Sequence, residues 1–262
     1  MSIQFLHGDC LELMKTLPDK SVDCFICDLP YGCLHAGRKQ TGEWYDRRQN
    51  GGNSCKWDIK LNLELFWEQV KRLAKNDHTP VIHFCNTKFG AELISSNPDW
   101  FRYDLVWNKE NGVSFLSANK MPLRSHEMIY IFAKKGAFYN RIDIEGEFSC
   151  SPTSGVVEGN VYDCADRKKP IVRNGARPDK RCVKSVLTFK PTKGKNRHPT
   201  EKPIELYKWL LSRYCPEGGT ILDPTAGSFN SCIAGKELGL TSIGIEKDEG
   251  FYNKAVSLLK DS

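Results

Sequence analysis

The 262-residue sequence predicts an α/β domain built around a mostly parallel sheet. Seven short runs have the apolar composition of strands that are covered on both faces. Helical patterns separate many of them, and alternating strands and helices are typical of α/β domains. The length suits one large domain, or one domain with a sizeable insert. The seven runs are residues 3–6, 22–27, 80–85, 103–107, 128–132, 220–222 and 242–245.

The helices between these runs are recognised by apolar residues that recur every three or four positions. The apolar-rich segment AVSLLK, residues 255–260, predicts a last helix. Pro203 suits the first helical position of the segment 203–215, since that position needs no backbone N–H. The predicted buried stripes are Leu63, Phe66, Trp67, Val70 and Leu73 in segment 61–75, and Ile204, Tyr207, Leu210, Leu211 and Tyr214 in segment 203–215.

The composition indicates where the protein is found and whether its cysteines form disulfides or bind metal. The N-terminus has no signal-peptide pattern and no apolar run reaches the ~18 residues of a spanning helix, so we expect a soluble, cytoplasmic protein. The 11 cysteines are scattered and odd in number, which does not indicate a disulfide framework. Cys24 and Cys27 have the spacing of half a zinc site, but both lie in a predicted buried strand. We therefore expect reduced core thiols and no metal.

Positive charge is concentrated in one segment. Between Cys164 and His198, twelve lysines and arginines face only Asp166 and Asp179, a local charge of +10 in a chain whose net charge is +6. Such asymmetry favours a nucleic-acid partner over a solvated basic loop. The segment lies within residues 137–197, which lack sustained periodicity and predict an insert or small subdomain. Residues 33–57 are polar and glycine-rich, and predict a long loop.

The sequence CDLPYG, residues 27–32, directly follows the second predicted strand. An acid, a proline and a tyrosine at a strand end are compatible with a simple turn, in which Asp28 satisfies backbone donors. They are also compatible with a ligand site, because ligands of open α/β sheets bind at the carboxyl ends of the strands. Asp28 and Tyr31 are therefore candidate functional residues.

A second set of candidates follows the strand at 220–222. The chain runs through a small-residue turn, Asp223 to Ser228, into a helix, then a strand that ends at Glu246. Ala226 and Gly227 let the backbone approach a ligand, and an acid about 20 residues on can bind ribose hydroxyls. This plan predicts a nucleoside cofactor. The strict GxGxxG pattern is missing, which argues against a dinucleotide.

Together these motifs resemble the amino-group DNA methyltransferases whose catalytic motif precedes the cofactor motif. DLPY at 28–31 resembles the catalytic acid-Pro-Pro-Tyr pattern, and DPTAGSF at 223–229 resembles the cofactor pattern Asp-Pro-Phe-x-Gly-Ser-Gly. HPTEKP at 198–203, the opening at 7–23 and SHEMIYIFAKK at 125–135 also match. Two departures are Leu29 in place of the first Pro and Phe229 in place of the second Gly.

The resemblance implies a Rossmann-like, seven-stranded methyltransferase sheet with helices on both faces, formed by residues 1–136 and 198–262, and a target-recognition insert at 137–197. It implies S-adenosyl-L-methionine as cofactor and DNA, double-stranded, as substrate, with a monomer or homodimer. The implied catalytic residues are Asp28, Leu29, Pro30 and Tyr31. The implied cofactor residues are Asp9, Cys10, Asp28, Lys202, Asp223, Thr225, Ala226, Gly227, Ser228, Asn230, Glu246 and Lys247. The expected DNA-binding residues are Arg167, Lys168, Lys169, Arg173, Arg177, Lys180 and Arg181.

The chemistry expected of these residues starts from the acceptor, an exocyclic amino group inside a duplex. The base must flip out to be reached. Tyr31 can then stack on it, while Asp28 and the Leu29 carbonyl, a role that needs no side chain, each accept an amino hydrogen. In the family, Asp at the first position accompanies adenine more often and Ser cytosine, so Asp28 favours N6-adenine. N4-cytosine methylation, methylation of RNA or protein, and a non-catalytic nucleic-acid binder stay open as alternatives.

Overall fold

A computed structural model describes residues 2–32, 36–38, 44–46, 58–113, 118–146, 180–192 and 200–260 of the chain. Two compact units divide it. The larger comprises Met1–Asn140 and Ser185–Ser262, and the smaller comprises Arg141–Lys184.

The larger unit contains an eight-stranded sheet. Its strands are β1 Ile3–His7, β2 Cys24–Cys27, β5 Val81–Cys85, β6 Phe101–Val113, β7 Arg124–Phe132, β10 Val186–Thr188, β11 Thr220–Asp223 and β12 Thr241–Glu246. Their order across the sheet is β1-β12-β11-β2-β5-β7-β6-β10. Every neighbouring pair is parallel except the two pairs of β7, which runs antiparallel to both β5 and β6. All seven predicted strands are present, which confirms the predicted fold class.

In the described part of the chain, five α-helices connect these strands and a sixth follows the last strand, and side chains cap several of them. Asp9, Asn62 and Asn86 accept hydrogen bonds from backbone N–H groups in the first turns of α1, α2 and α3, which fixes where those helices begin. Pro203 stands one residue before α4, with an extended backbone, and not at its first helical position. The helices are α1 Cys10–Lys15, α2 Leu63–Leu73, α3 Thr87–Ser96, α4 Ile204–Tyr214, α5 Asn230–Glu237 and α6 Glu249–Lys260.

The sheet is buried on both faces. Along β2, Phe25 and Cys27 pack into one apolar cluster with α1, α2 and α3, while Cys24 and Ile26 pack into the other with α4. Because successive side chains of a strand point to opposite faces, Cys24 and Cys27 are separated by the sheet. Both thiols are fully buried, as expected of core cysteines.

An eighth strand lies inside the segment that the sequence assigned to the insert. β10 pairs with β6 at the sheet edge, and the backbone N–H groups of Phe138 and Asn140 donate to His78 and Arg213 of the larger unit. The separate unit is Arg141–Lys184, which lies within the predicted insert 137–197. A three-residue strand with only Leu187 buried has too little apolar pattern to be recognised from sequence.

Two short antiparallel strand pairs complete the described structure. In the smaller unit, β8 (Ile144–Glu145) pairs with β9 (Lys180–Arg181). Within the predicted loop 33–57, β3 (Ala36–Arg38) pairs with β4 (Trp44–Asp46), and most of that loop lies outside the described residues. No helix in the described part of the chain is long and apolar enough to span a membrane.

Candidate active site

The two predicted motifs end neighbouring strands at the middle of the sheet. β2 leads into Asp28 and β11 ends at Asp223, and the two strands pair in parallel. From β2 the chain moves outward to β5, whereas from β11 it moves the other way to β12, which pairs with β1 at that side of the sheet. Strand order therefore reverses between β2 and β11, and a crevice opens at such a point.

The carboxylate of Asp28 is held by two side chains. Its Oδ2 lies 2.5 Å from the Lys202 ammonium, and its Oδ1 accepts a hydrogen bond of 3.0 Å from the Tyr31 hydroxyl. Burial raises the pKa of Asp28, while the Lys202 cation opposes that rise. Lys202 itself is 4% exposed; burial lowers its pKa, but the Asp28 and Glu127 carboxylates raise it above its ordinary value.

A second acid from β7 joins this group. Glu127 Oε1 accepts a 2.8 Å hydrogen bond from the Tyr31 hydroxyl and lies 3.6 Å from the Lys202 ammonium. Its Oε2 lies 2.7 Å from the Lys109 ammonium. Burial raises the pKa of Glu127, but the two lysines lower it to about 2, so this acid is an anion at neutral pH.

The Tyr31 ring is fixed on one face and at its tip. It stacks on Phe89 with ring centroids 5.1 Å apart, while its hydroxyl reaches the two carboxylates. The ring is half-buried. Leu29, which replaces the first Pro of the motif, is 1% exposed and packs in the core, so its side chain serves the fold. Pro30 between them is half-buried.

The turn after β11 is organised by Asp223. Its Oδ2 accepts a hydrogen bond of 2.5 Å from the Ser231 hydroxyl, and its Oδ1 accepts one of 3.0 Å from the Thr225 N–H. The residue is 2% exposed. Burial raises its pKa to about 7, while only these two neutral donors oppose the rise.

The other end of this turn has an unusual backbone. Phe229 has φ 58° and ψ 21°, the left-handed region that glycine, the family's residue here, adopts easily. Its buried ring packs 5.0 Å from the Phe5 ring, which holds the side chain in place. The next residue, Asn230, begins α5 and donates to the Lys202 carbonyl at 2.8 Å. This bond joins the cofactor turn to the residue that holds Asp28.

Glu246 clamps the same turn to the end of β12. Its Oε2 accepts from the Gly227 N–H at 2.8 Å and its Oε1 from the Asp248 N–H at 2.7 Å. Burial raises its pKa. The end of β1 is adjacent: Asp9 caps α1 and pairs with the Lys247 ammonium at 3.0 Å, and Cys10 is buried beside it.

The donors and acceptors around the turn fit a nucleoside cofactor. Among the described residues, the buried Thr225 Oγ1 and Asn230 Oδ1 have no hydrogen-bond partner. Buried polar atoms without partners are costly, so a polar ligand would satisfy them. Each Glu246 oxygen has accepted one N–H and retains capacity for a second donor. Ala226 and Ser228 are buried, and their small side chains allow a ligand to approach the backbone of the turn.

The structure thus brings most predicted site residues together, and adds two. Most of the predicted cofactor residues follow the ends of β1, β11 and β12, next to the strand that leads into the DLPY turn, whereas the Lys202 ammonium contacts Asp28. Glu127 and Lys109 were not predicted; an acid within the apolar run of β7 was a usable signal, whereas nothing marked Lys109. Lys180 and Arg181 form β9, while Arg167, Lys168, Lys169, Arg173 and Arg177 lie outside the described residues.

The fold and the site define a class: α/β proteins with a small-residue turn and an acidic turn at the ends of neighbouring parallel strands. Within that class the chain belongs to the N6/N4 DNA methylase family, whose model matches residues 22–257. Members are S-adenosylmethionine-dependent methyltransferases that act on DNA.

Curated relatives and solved structures that are similar to this chain include two methylases and two DNA methyltransferase structures. The chain is 26% identical to the type II methyltransferase M.HinfI of Haemophilus influenzae, over 98% of this chain and 68% of that protein. It is 24% identical to the putative methylase YubD of Escherichia coli (strain K12), over 95% of this chain and 86% of that one. The M1.HpyAVI–SAM complex superposes with a TM-score of 0.59 at 18% identity, covering 98% of this chain and 100% of that one. The cytosine-N4-specific PvuII DNA methyltransferase gives a TM-score of 0.64 at 12% identity, covering 98% and 86%.

Proposed function

We propose that the protein transfers a methyl group from S-adenosylmethionine to the N6 amino group of adenine in double-stranded DNA. The observation that carries this proposal is the Asp28 carboxylate, held beside Tyr31 at the end of β2, next to the small-residue turn after β11. S-adenosylmethionine supplies an electrophilic methyl group on a sulfonium. The protein has to present an amino nitrogen that is a poor nucleophile, because its lone pair is delocalised into the base.

Three groups of the DLPY turn do this. Tyr31 rests on Phe89 with one face of its ring, and a flipped base stacks on the other. The Asp28 carboxylate and the Leu29 carbonyl accept the two amino hydrogens and draw the nitrogen toward tetrahedral geometry. The nitrogen would gain the methyl group as the sulfonium–methyl bond breaks to leave a neutral thioether. The Asp28 anion stabilises the positive charge that develops on the nitrogen and then accepts the proton that the nitrogen loses.

The cofactor is bound by the residues around the β11 turn. Glu246 accepts the ribose hydroxyls, while Asp9, the Cys10 backbone and Lys247 surround the adenine. Asp223, Thr225, Ala226, Gly227, Ser228, Asn230 and the backbone of Lys202 line the remainder. Support for this assignment comes from the unpartnered Thr225 and Asn230 oxygens and from the spare acceptor capacity of Glu246.

The assignment to adenine rests on the acid at position 28. The relative PvuII methyltransferase is cytosine-N4-specific, so the alternative is N4 methylation of cytosine by the same residues. Incubation of the protein with DNA and tritiated S-adenosylmethionine, followed by nucleoside analysis, decides the question. We expect N6-methyldeoxyadenosine. Recovery of N4-methyldeoxycytidine would overturn the adenine assignment, and no transfer to any DNA would overturn the function.

The smaller unit and the basic residues in and around it recognise the target DNA. Replacing Arg167, Lys168 and Lys169 together by glutamine should weaken DNA binding and lower the salt dependence by about one unit of slope per lost phosphate contact. Fluorescence anisotropy at several salt concentrations measures this slope. The same triple change at Lys134, Lys135 and Lys208, which lie on the larger unit, is the control. An unchanged slope in the first variant would mean that its three residues do not contact DNA.

A further inference from the structure

The Tyr31 hydroxyl lies between two carboxylates. It is 3.0 Å from Asp28 Oδ1 and 2.8 Å from Glu127 Oε1. A phenol has one hydrogen to donate, so only one of the two acids receives it at any moment. The other acid must find a different donor or remain partly unsatisfied.

Glu127 is held in place independently of Tyr31. The Lys109 ammonium bonds its Oε2 at 2.7 Å, and the side chain of Glu127 is only 13% exposed. Lys109 in turn lies 4.5 Å over the Trp107 ring, on the same strand, β6. Because β7 runs antiparallel to β5, its first residues lie at the edge of the sheet where β2 ends. Glu127 is therefore a fixed anion beside the catalytic turn.

Asp28, in contrast, has a second task under the proposed function. Its Oδ2 is bonded to the Lys202 ammonium, and its Oδ1 accepts from the Tyr31 hydroxyl, so each oxygen has room for one more donor. We expect Oδ1, which does not face a cation, to accept a hydrogen of the target amino group. A hydrogen bond from Tyr31 draws charge from Oδ1 and weakens it as an acceptor for the base, unless the hydroxyl donates to another acid.

We propose that Glu127 is a positioning residue that takes the Tyr31 hydroxyl and so leaves Asp28 Oδ1 free for the target amino group. This inference rests on the proposed function. The hydroxyl moves from sharing two acids to donating to Glu127 alone, with no bond to carbon made or broken. The Tyr31 ring stays against Phe89 throughout, which keeps its free face ready to stack on the base.

A double-mutant cycle tests the competition between hydroxyl and base. The four proteins are the wild type, Glu127→Gln, Tyr31→Phe and the double variant. Tyr31→Phe should change kcat/KM for DNA less than about 3-fold, because stacking needs the ring. Glu127→Gln should lower kcat/KM about 10- to 50-fold, because a neutral amide is a weaker acceptor and the hydroxyl returns to Asp28. In the Tyr31→Phe background the same change should cost less than about 5-fold, since no hydroxyl is left to compete.

The cycle separates this role from plain structural damage. Replacing Glu127 removes the partner of Lys109 in both backgrounds, so this cost cancels when the two effects of Glu127→Gln are compared. Additive effects of the two substitutions would therefore overturn the inference. Full activity of Glu127→Gln would also overturn it. Cofactor affinity by calorimetry should be unchanged in all four proteins. Glu237→Gln, which removes the charge from an ion pair with Lys208 between α5 and α4, is the matched control and should leave every rate unchanged.

A further variant covers poor folding of Glu127→Gln. If its unfolding midpoint falls below the assay temperature, Glu127→Asp takes its place, because it keeps the charge but withdraws the carboxylate by one methylene. It must show the same dependence on the Tyr31 hydroxyl. A wild type that methylates DNA, together with an additive cycle, would reject this inference alone. A wild type that methylates no DNA would reject the proposed function.

Discussion

Asp28 and Asp223 follow or end neighbouring parallel strands; the Asp28 side chain is half-buried and Asp223 is fully buried, but the larger difference is the charge of their partners. Asp28 lies against the Lys202 ammonium, with the Tyr31 hydroxyl on its other oxygen. Asp223 is held only by the Ser231 hydroxyl and the Thr225 N–H, which are neutral. Burial raises the pKa of both acids, and that of Asp223 reaches about 7.

The difference shows that burial at a strand end does not decide what an acid can do. A cation beside a carboxylate opposes the rise in its pKa and favours the anion, which the proposed chemistry requires of Asp28. A buried carboxylate with neutral donors is close to half-protonated at neutral pH, which suits a structural acid that shapes a turn. Four substitutions test this contrast, from the largest expected effect to the smallest.

Removal of the first acid should abolish the activity. Asp28→Ala should lower kcat at least about 1,000-fold, about 4 kcal/mol, because the amino nitrogen loses its anionic acceptor. Cofactor binding should persist, since Glu127 still lies 3.6 Å from the Lys202 ammonium and keeps it paired. Methyl transfer and calorimetry measure the two effects. Asp77→Ala, which breaks an exposed ion-pair cluster, is the control, and full activity of Asp28→Ala would contradict the catalytic role.

Removal of the charge of Asp223 should alter the pH dependence of the free energy of unfolding. The folded pKa of Asp223 is about 7 and its ordinary value 3.8, so the folded protein holds the extra proton between these values. Its contribution to stability is present below pH 3.8 and is lost as pH rises through 7. The side chain at this position cannot ionise in the variant Asp223→Asn. The free energy of unfolding of the variant, relative to that of the wild type, should therefore rise by about 2–4 kcal/mol from pH 4 to pH 8. Denaturant unfolding at both pH values measures this, and parallel curves would show that Asp223 is ionised when folded.

Removal of the cation should make Asp28 resemble Asp223. In Lys202→Met, burial and Glu127 still raise the pKa of Asp28, while the hydrogen bond from the neutral Tyr31 hydroxyl is left to oppose them. The acid limb of the kcat/KM profile should therefore move to higher pH, with a loss of about 10- to 100-fold at pH 7, or about 1.4–3 kcal/mol. Lys208→Met, which removes an exposed ammonium from the start of the same helical region, should leave the profile unchanged. An unmoved limb at a normal rate would mean that Lys202 does not control Asp28.

The smallest effect concerns a neutral donor. Ser231→Ala removes the hydroxyl that bonds Asp223 and should lower the free energy of unfolding by about 1 kcal/mol. The cost should be greater at pH 8 than at pH 5, because the ionised carboxylate depends more on its donors. Ser242→Ala is a close control, since that hydroxyl is buried without a partner among the described residues. Equal costs at both pH values would show that the Ser231 bond does not depend on the charge of Asp223.

Local sequence determined the seven main strands, because a strand covered on both faces must be apolar along its length. It also determined where the two acids stand, since each directly follows such a run. It could not show β10, which has one buried side chain. Tyr31 was recognised, but its half-buried position was not, because Phe89 and Glu127 cover it from other elements.

Only the tertiary structure decided the electrostatics that separate Asp28 from Asp223. Lys202 is 174 residues from Asp28 along the chain, and Glu127 is 96 residues from Tyr31. The antiparallel course of β7 brings Glu127 to the edge where β2 ends, and Asn230 anchors the backbone of Lys202 beside the cofactor turn. A pKa depends on which charges lie within a few ångströms, and strand order and register set those distances. The sequence by itself therefore located the acids, while the folded sheet determined which of them meets a cation.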